Sequence, residues 1–375
     1  MLVTEHDAKE IVSRLGDVPV PAGVLVRAGA NLCISSLPEG PWVVKAQVAS
    51  GKRGKAGGIV RCETLSEVAD AVRKIADISI AGHPTEWVRV ESAVKFVAER
   101  YLSIMVDPGR GQLRLIYCEQ GGIDVEEAPS GSVRSVLVGC TPDELARGAR
   151  ELASGIRDAE IIQDAVTKLG RAFYAAEATL VEINPLFMLQ DGRWIAGDCK
   201  LILDDAAAAR NDVLTDLVSR EGDRYPDTRF KLTEGFDLLV LDPEGEVGLL
   251  TTGAGLTMML LDELSAKNVR LFNFCDIRTG QIHGDPARLV TALRMIKSGV
   301  DVKRLLINVF AGITDLRNFA IRFLEAAEIV SLDRMDIVVR LVGLNRQDAV
   351  DLFQASKLKV TIVEDLDEAI TALAA

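Results

Sequence analysis

The chain has 375 residues, 48% hydrophobic and 26% charged, and its 43 lysines and arginines against 55 aspartates and glutamates give a formal net charge of −12. That length exceeds what one core usually supports, which implies more than one domain, and the acidic balance excludes the broad basic surface that nucleic-acid phosphates require. No apolar run approaches the roughly 20 residues that span a bilayer, the start lacks a basic stretch followed by an apolar core, and the cysteines at 33, 62, 118, 140, 199 and 275 show no paired metal spacing. The expectation is a cytoplasmic enzyme with no membrane segment, an organellar presequence left open, and mostly buried, reduced thiols.

In chain order, a helix near 6–15 is followed by an apolar strand over 42–48 that carries Lys45 into a loop. There Lys52, Arg53 and Lys55 are interspersed with Gly51, Gly54, Gly57 and Gly58. Positive charge combined with glycines that admit close ligand approach reads as a grip for nucleotide phosphates. A solvated basic loop accounts for the charges, but not for their coincidence with glycine and a buried run. A helix over 65–76, strands over 87–91, 102–106 and 113–117, and a helix over 143–153 then suit an α+β nucleotide domain.

A second motif, Thr179-Leu-Val-Glu-Ile-Asn-Pro-Leu-Phe187, precedes Trp194-Ile-Ala-Gly-Asp-Cys-Lys200. Glu182 and Asn184 lie two apart on a strand and share one face, and Asp198 comes from the next strand of a hairpin turned at Gln190-Asp-Gly192. One amide and one or two carboxylates suit magnesium beside phosphates; an ordinary acidic hairpin is the plainer alternative. The polar stretch Ser219–Arg229 reads as a linker, with the boundary near residue 233. Beyond it, short apolar strands over 247–251, 269–273, 304–309, 337–341 and 360–363 alternate with helices, the pattern of a doubly wound parallel α/β sheet. At their carboxyl ends lie the glycine-containing segments Thr252-Gly-Ala-Gly, Asp276–Gly280, Phe310–Thr314 and Gly343. Such ends bind anions or carboxylates through backbone N–H groups, although tight turns alone also demand glycine.

These motifs, in this order, resemble the β subunit family of succinyl-CoA synthetase (succinate–CoA ligase). The resemblance runs from Glu5-His-Asp-Ala-Lys9 through Val90-Glu91, Glu99, Gln120-Gly-Gly122 and the Glu-Ile-Asn-Pro run to Thr252-Gly-Ala-Gly-Leu256, Asn308-Val-Phe-Ala-Gly-Ile313 and Val339-Arg-Leu-Val-Gly343. It implies an ATP-grasp domain over 1–232 and a flavodoxin-like CoA-ligase domain over 233–375. It also implies that Lys45, Lys52, Arg53, Gly54, Glu91, Val94 and Glu99 contact the nucleotide, that Asn184 and Asp198 hold Mg2+, and that Glu182 and Arg53 act in catalysis. ATP or GTP and CoA would be substrates together with a small carboxylic acid. In this family ATP phosphorylates a histidine, the phosphoryl group passes to the acid, and CoA attacks the acyl phosphate. None of His6, His83 and His283 carries the local signature of that histidine, so the resemblance implies an α-like partner subunit supplying it and most of the CoA site.

The departures from the family cluster in the second half. The usual Asp-Val-Gly-Gly-Gly-Ala loop reads Asp276-Ile-Arg-Thr-Gly-Gln281, an Asn before Gly-Ala-Gly is Thr252, and the acid-binding Gly-Ile-Val is Gly312-Ile313-Thr314. A guanidinium at Arg278 offers a bidentate grip to a second anionic group. The expectation is therefore an acid with an extra polar or anionic group, such as malate, citrate or a sulfonated acid. The competing expectation is that Arg278 pairs with Asp276 or a partner-chain acid and succinate is retained. An ATP-citrate lyase or citryl-CoA synthetase relative stays within the same chemistry, whereas a catalytically lapsed nucleotide-binding regulatory subunit is the alternative of a different class.

Overall fold

The computed structural model describes residues 1–30, 33–49, 53–80, 82–123, 131–279 and 284–374, with the side chain of residue 313 outside that description. The chain divides into two compact units, Met1–Asp216 and Leu217–Ala375.

The first unit begins with helix α1 (Glu5–Gly16) and strand β1 (Gly23–Arg27), followed by β2 (Trp42–Ala46), β3 (Ile59–Cys62), α2 (Leu65–Ala76), β4 (Ser79–Ile80), β5 (His83–Pro84) and β6 (Trp87–Ser92). It continues through β7 (Ala98–Asp107), β8 (Gln112–Cys118), β9 (Val133–Val138), α3 (Pro142–Ala153), α4 (Ala159–Ala175), β10 (Ala178–Met188), β11 (Trp194–Ala196) and β12 (Lys200–Leu203). Among the described residues these form three antiparallel sheets, one in the order β1-β6-β2-β3, one in the order β11-β10-β7-β8-β9 with β12 also on β10, and the two-stranded β4-β5. Helix α2 covers the smaller sheet, burying Val68, Ala71, Val72 and Ile75 against Val44, Val88 and Val90. Its start is fixed by a capping box in which Thr64 accepts from the Glu67 amide while Glu67 returns a carboxylate to the Thr64 amide, and Thr141 and Glu144 repeat the device at α3. Helix α1 departs from ordinary amphipathicity, because Glu5, His6, Asp7 and Lys9 are buried together with Ala8, Ile11 and Val12.

The second unit opens with α5 (Asp212–Glu221), which begins just inside the first, and α6 (Pro226–Glu234). The expected linker over 219–229 is therefore folded, and the division falls at 216/217 instead of 232/233. The reason is burial: Leu217, Val218 and Tyr225 are interior residues, and Phe230 packs edge-on against Phe236 with ring centroids 5.0 Å apart. Then come β13 (Asp237–Val240), β14 (Val247–Thr251), α7 (Ala254–Ala266), β15 (Asn273–Asp276), α8 (Ala287–Lys297), β16 (Arg304–Asp315), α9 (Leu316–Val330), β17 (Asp336–Leu344), α10 (Arg346–Ala355), β18 (Lys359–Val363) and α11 (Leu366–Ala374). The sheet order is β13-β15-β14-β16-β17-β18, parallel except for the edge strand β13. Alternate residues of β16 point to opposite layers, Leu305, Ile307 and Val309 with α8, α9 and α10, and Leu306 with α7 and α11. The doubly wound reading of this half holds.

Two expected elements differ in detail. The strand expected over 269–273 forms only over Asn273–Asp276, with an isolated bridge from Leu271 to Val247. Between β14 and β15 the Asn273 side chain substitutes for ladder bonds: its Oδ1 accepts from the Leu249 amide and its Nδ2 donates to the Leu249 carbonyl, both at 2.9 Å. The segment 310–314, expected as a loop, continues β16. The register jumps from Ala311 opposite Gly343 to Asp315 opposite Leu344, so residues 312–314 bulge from the sheet edge.

Candidate functional site

In the first unit, Lys45 on β2 lies opposite Arg89 on β6, and Glu91, two residues farther along β6, shares that face. Opposite Glu91 on β1 stands Gly23, where a Cβ would come within 2.7 Å of the Glu91 Cβ and 2.8 Å of the Arg89 guanidinium carbon. Into this space α1 delivers Glu5 and Lys9, one helical turn apart. Lys45 Nζ donates to Glu5 Oε1 at 2.8 Å and to the Gly197 carbonyl at 2.7 Å, and lies 2.7 Å from Glu91 Oε1. Lys9 Nζ lies 2.6 Å from Glu5 Oε1 and donates to Glu91 Oε2 at 2.8 Å and to the Gly197 carbonyl at 2.9 Å. Arg53 donates to both oxygens of Asp198, at 2.8 and 2.6 Å, and to the Ala46 carbonyl at 3.0 Å. Its Nη1 also lies 2.7 Å from Glu5 Oε2 without the alignment of a hydrogen bond, so that contact is an ion pair.

Arg89 completes the cluster, donating to Glu91 Oε2 at 2.7 Å, to the Pro21 carbonyl at 2.8 Å and toward His6 Nδ1 at 2.6 Å. Burial, the largest influence on Glu5, pushes its carboxyl up. The charges of Lys45, Lys9 and Arg53 together outweigh it and hold Glu5 well below the usual carboxylate range. Burial likewise pushes Glu91 up, and Lys9, Lys45 and Arg89 bring it below its ordinary value despite repulsion from Glu5. Lys45 is held protonated above the ordinary lysine range because Glu5, Glu91 and Asp198 more than offset its desolvation.

The oxygen-bearing face sits on the neighbouring hairpin. The turn expected at 190–192 is present, closed by Leu189 N donating to the Arg193 carbonyl at 2.8 Å, with Gly192 at φ 80°. The pairs Glu182 with Lys200 and Leu186 with Ala196 bracket Asn184 and Asp198 at the same register, and Asp198, expected on the next strand, lies in the bend that joins β11 to β12. Glu182 and Asn184 are both half-buried between the interior residues Val181, Ile183 and Leu186, as their shared face requires. Glu182 Oε2 accepts from the Tyr101 hydroxyl at 3.1 Å. Burial and the Glu182 charge push the Tyr101 phenol up. Asn184 is oriented by its main-chain neighbours: Oδ1 accepts from Gly122 N at 2.7 Å and Nδ2 donates to the Ile123 carbonyl at 2.9 Å. Glu99, whose carboxyl burial pushes up, brings Oε2 within 3.0 Å of where a Gly122 Cβ would stand. Val94 lies in a stretch fastened at Ala93 to the Pro41 carbonyl and at Val97 to the Met188 carbonyl.

Gly54 lies in the turn behind Arg53, where its carbonyl accepts from Gly57 N at 3.1 Å. That turn places positive φ at Gly57, 78°. Lys52 lies outside the described residues. The Asn184 amide on β10 and the Asp198 carboxylate in the bend between β11 and β12, with Glu182 two residues from Asn184, are the oxygen types that suit a hard divalent cation. Asp198 accepts from Arg53 and from Cys199 N, and Asn184 Oδ1 from one amide, which leaves each group lone pairs to offer.

In the second unit, the chain leaves β14 toward β15 through α7 and reaches β16 on the other side of β14, so β14/β16 is the switch point where such sheets bind ligands. Thr252 sits there, accepting at Oγ1 from Phe310 N at 3.1 Å, and Gly253 N donates to Asp276 Oδ1 at 3.0 Å. Thr314, in the bulge with Gly312 and Ile313, meets Thr279 Oγ1 at 2.9 Å. Arg278 has φ 50° and directs its guanidinium to Asp237 Oδ2 on β13, at 2.9 Å, while its amide faces Asp276 Oδ1 at 3.4 Å. Of the pairings weighed for the guanidinium as the competing expectation, Asp276 is not the partner: Asp276 Oδ1 is engaged by main-chain amides, and the guanidinium meets Asp237.

The sequence reading assigned no roles to Glu5, Lys9, Arg89, Gly197 and Thr279. The signal for the first two was present: a Glu and a Lys at i, i+4 on a helix whose other residues include Ala8, Ile11 and Val12 place charge on the buried stripe. Of the histidines, His6 is buried against Arg89, His83 is exposed on β5, and His283 is outside the described residues.

Antiparallel sheets carrying a cation cluster beside a hairpin with Glu182, Asn184 and Asp198, followed in the chain by a doubly wound sheet, are the architecture of an ATP-grasp ligase subunit. The ATP-grasp domain family matches residues 2–188. The β subunit of the ADP-forming succinate–CoA ligase of Chloroflexus aggregans is 33% identical over 383 residues, covering 99% of this chain and 98% of that protein. The same subunit of Rubrobacter xylanophilus is 34% identical over 360 residues, covering 93% and 91%. The chain belongs to the succinate–CoA ligase β-subunit family, among the ADP-forming acid–thiol ligases. Its fold is shared with the ATP citrate lyase of Methanothrix soehngenii, TM-score 0.75 at 18% identity, covering 100% of this chain and 98% of that one. No helix among the described residues is long and apolar enough to cross a membrane.

Proposed function

We propose that this chain is the nucleotide-binding subunit of a two-subunit carboxylate–CoA ligase. Its first unit binds Mg-ATP through Lys45, Lys52, Arg53, Gly54, Glu91, Val94 and Glu99. The observation that carries this reading is the convergence of Lys45 and Arg53 beside Asp198, which lies at the same register as Asn184. Magnesium bound by Asn184 and Asp198 would neutralise charge on the phosphate oxygens. Lys45 and Arg53 would bind and orient the same phosphates, Arg53 giving up part of its hold on Asp198 to do so. Glu182, held by Tyr101, would keep the polar face ordered.

The terminal phosphoryl group would pass to a histidine nitrogen of an α-like partner, with ADP leaving. His6 is a poor acceptor, since its Nδ1 is met by Arg89 and its Nε2 lies 3.3 Å from Glu10. The phosphoryl group then moves to a carboxylate oxygen, freeing the histidine, and the CoA sulfur attacks the acyl carbon with loss of phosphate. For the acid we infer a site at the β14/β16 switch point formed by Thr252, Arg278 and Gly312–Thr314, with a preference for a polar or second anionic substituent.

The test is ADP release by the chain co-purified with its α-like partner, with ATP, magnesium and CoA, across succinate, malate, citrate, sulfonated and monocarboxylic acids. CoA-dependent turnover is expected, strongest with a substituted acid. Strongest turnover with succinate would remove the specificity part, and ATP binding with no turnover on any acid would favour the lapsed regulatory subunit.

A further inference from the structure

The buried cation Lys9 has no part in the mechanism so far. Its side chain is 0% exposed, among the largest fully buried side chains of the described residues. Burying an ammonium costs several kcal/mol before pairing, and an apolar residue of similar volume often serves stability equally well. Lys9 therefore calls for an explanation other than stability.

Its contacts supply one. Glu5 and Glu91 each hold Lys45, and each also holds Lys9; the Gly197 carbonyl accepts from both ammoniums. The three groups in direct contact with the Lys45 ammonium, Glu5, Glu91 and the Gly197 carbonyl, are thus shared with Lys9. Among the described residues joined to this cluster by direct ion pairs, the four cations Lys9, Lys45, Arg53 and Arg89 meet the three anions Glu5, Glu91 and Asp198, an excess of one positive charge within that set. Without Lys9 these sums would be equal, and Glu5 and Glu91, still held in part by Arg53 and Arg89, would bear more heavily on Lys45.

We propose that Lys9 is a positioning residue for nucleotide binding: from beneath the site it occupies Glu5 and Glu91, fixing them as a frame and leaving Lys45 and Arg53 able to engage phosphates. This rests on the Mg-ATP reading of the first unit. It assigns Lys9 no contact with the nucleotide.

The test is calorimetric titration of the full chain with magnesium and adenylyl-imidodiphosphate, together with thermal unfolding, for wild type, Lys9→Met, Glu5→Gln and the double variant. Lys9→Met is expected to keep the wild-type Tm and to bind about tenfold more weakly or worse, because removing one net positive charge near a triphosphate weighs on several phosphate charges at once. Adding Glu5→Gln restores the net charge of the cluster and is expected to recover most of that loss. Wild-type affinity in Lys9→Met overturns the inference, as does a loss that tracks a fall in Tm and is not recovered in the double variant. Should Lys9→Met not fold, Glu5→Gln alone decides: affinity at or above wild type supports the electrostatic frame, and a tenfold loss refutes it. Absence of wild-type binding would instead refute the reading of the site on which the inference depends.

Discussion

Replacing Arg278 with glycine, the residue type its family carries in this loop, separates stability from selectivity. Arg278 sits at φ 50°, where a residue with a Cβ costs about 1–2 kcal/mol relative to glycine. Against that relief stand two losses. The Asp237 pair, with the Arg278 side chain 45% exposed, is worth about 0.2–1 kcal/mol, and part of it is redundant because Lys231 also reaches Asp237 at 3.0 Å. Glycine also loosens the unfolded chain by about 0.4–1 kcal/mol. The sum lies within about 1 kcal/mol of zero, so the Tm of Arg278→Gly should stay near wild type. If Arg278 grips a second anionic group of the acid, losing a charged hydrogen bond worth about 1.5–3 kcal/mol lowers kcat/KM for that acid by about tenfold to 150-fold and leaves succinate untouched. The assay is acid-dependent ADP release by the two-subunit enzyme. An equal fall for all acids, or none for any, would refute a selectivity role and leave Arg278 as a tether to β13.

Asn273→Ala should destabilise the second unit by about 2–6 kcal/mol, since it orphans the amide and carbonyl of the fully buried Leu249 at about 1–3 kcal/mol each; a urea-unfolding shift under about 1 kcal/mol would contradict the side-chain ladder. Asp198→Asn should raise the magnesium concentration for half-maximal ADP release and cut the rate, because it removes the one carboxylate set at the register of Asn184; an unchanged magnesium profile would move the metal elsewhere. Of the six thiols, Cys33 and Cys140 are exposed and should react with a thiol reagent in the native state, whereas Cys62, Cys118, Cys199 and Cys275 wait for unfolding. Hydrogen bonds from Ser35 and Ser36 lower the Cys33 thiol, so its thiolate fraction at pH 7–8 exceeds that of an ordinary cysteine and it should label quickly there, slowing as pH falls. Burial pushes Cys62 up, in the opposite direction. Fast native labelling of Cys199 or Cys275 would contradict their burial.

How much of this was legible in the sequence depended on whether the signal was local. Strand 247–251 was readable to the residue because a five-residue apolar run buried on both faces leaves no ambiguity. Asn273 misplaced the next strand because nothing in a sequence marks a side chain that closes a ladder gap. The polar stretch 219–229 looked like a linker since helix α6 offers almost no apolar stripe, and its anchoring residues, Tyr225 and Phe230, are isolated. The cis bond between Asn184 and Pro185 and the bulge at 312–314 likewise left no periodic trace.

The candidate site shows the same division. Lys45 and Arg53 were visible as charge among glycines, and Asn184 with Asp198 as oxygens on a hairpin, but the two motifs stand about 130 residues apart and nothing local joins them. The junction is Gly197, whose carbonyl accepts from both Lys45 and Lys9 at 2.7 and 2.9 Å and whose missing side chain leaves room for the Phe187 ring, which would lie 2.4 Å from a Cβ there. One main-chain oxygen, set next to Asp198, thereby ties the Lys45 ammonium of the proposed phosphate grip to the hairpin proposed to hold the metal. A substitution such as Gly197→Ala would force the Phe187 ring aside and shift that carbonyl, so it should weaken nucleotide binding and magnesium dependence together, although residue 197 has no side chain of its own to contribute. Loss of one without the other, in paired titrations of nucleotide and metal, would show that the two motifs act independently and that their meeting at Gly197 is packing alone.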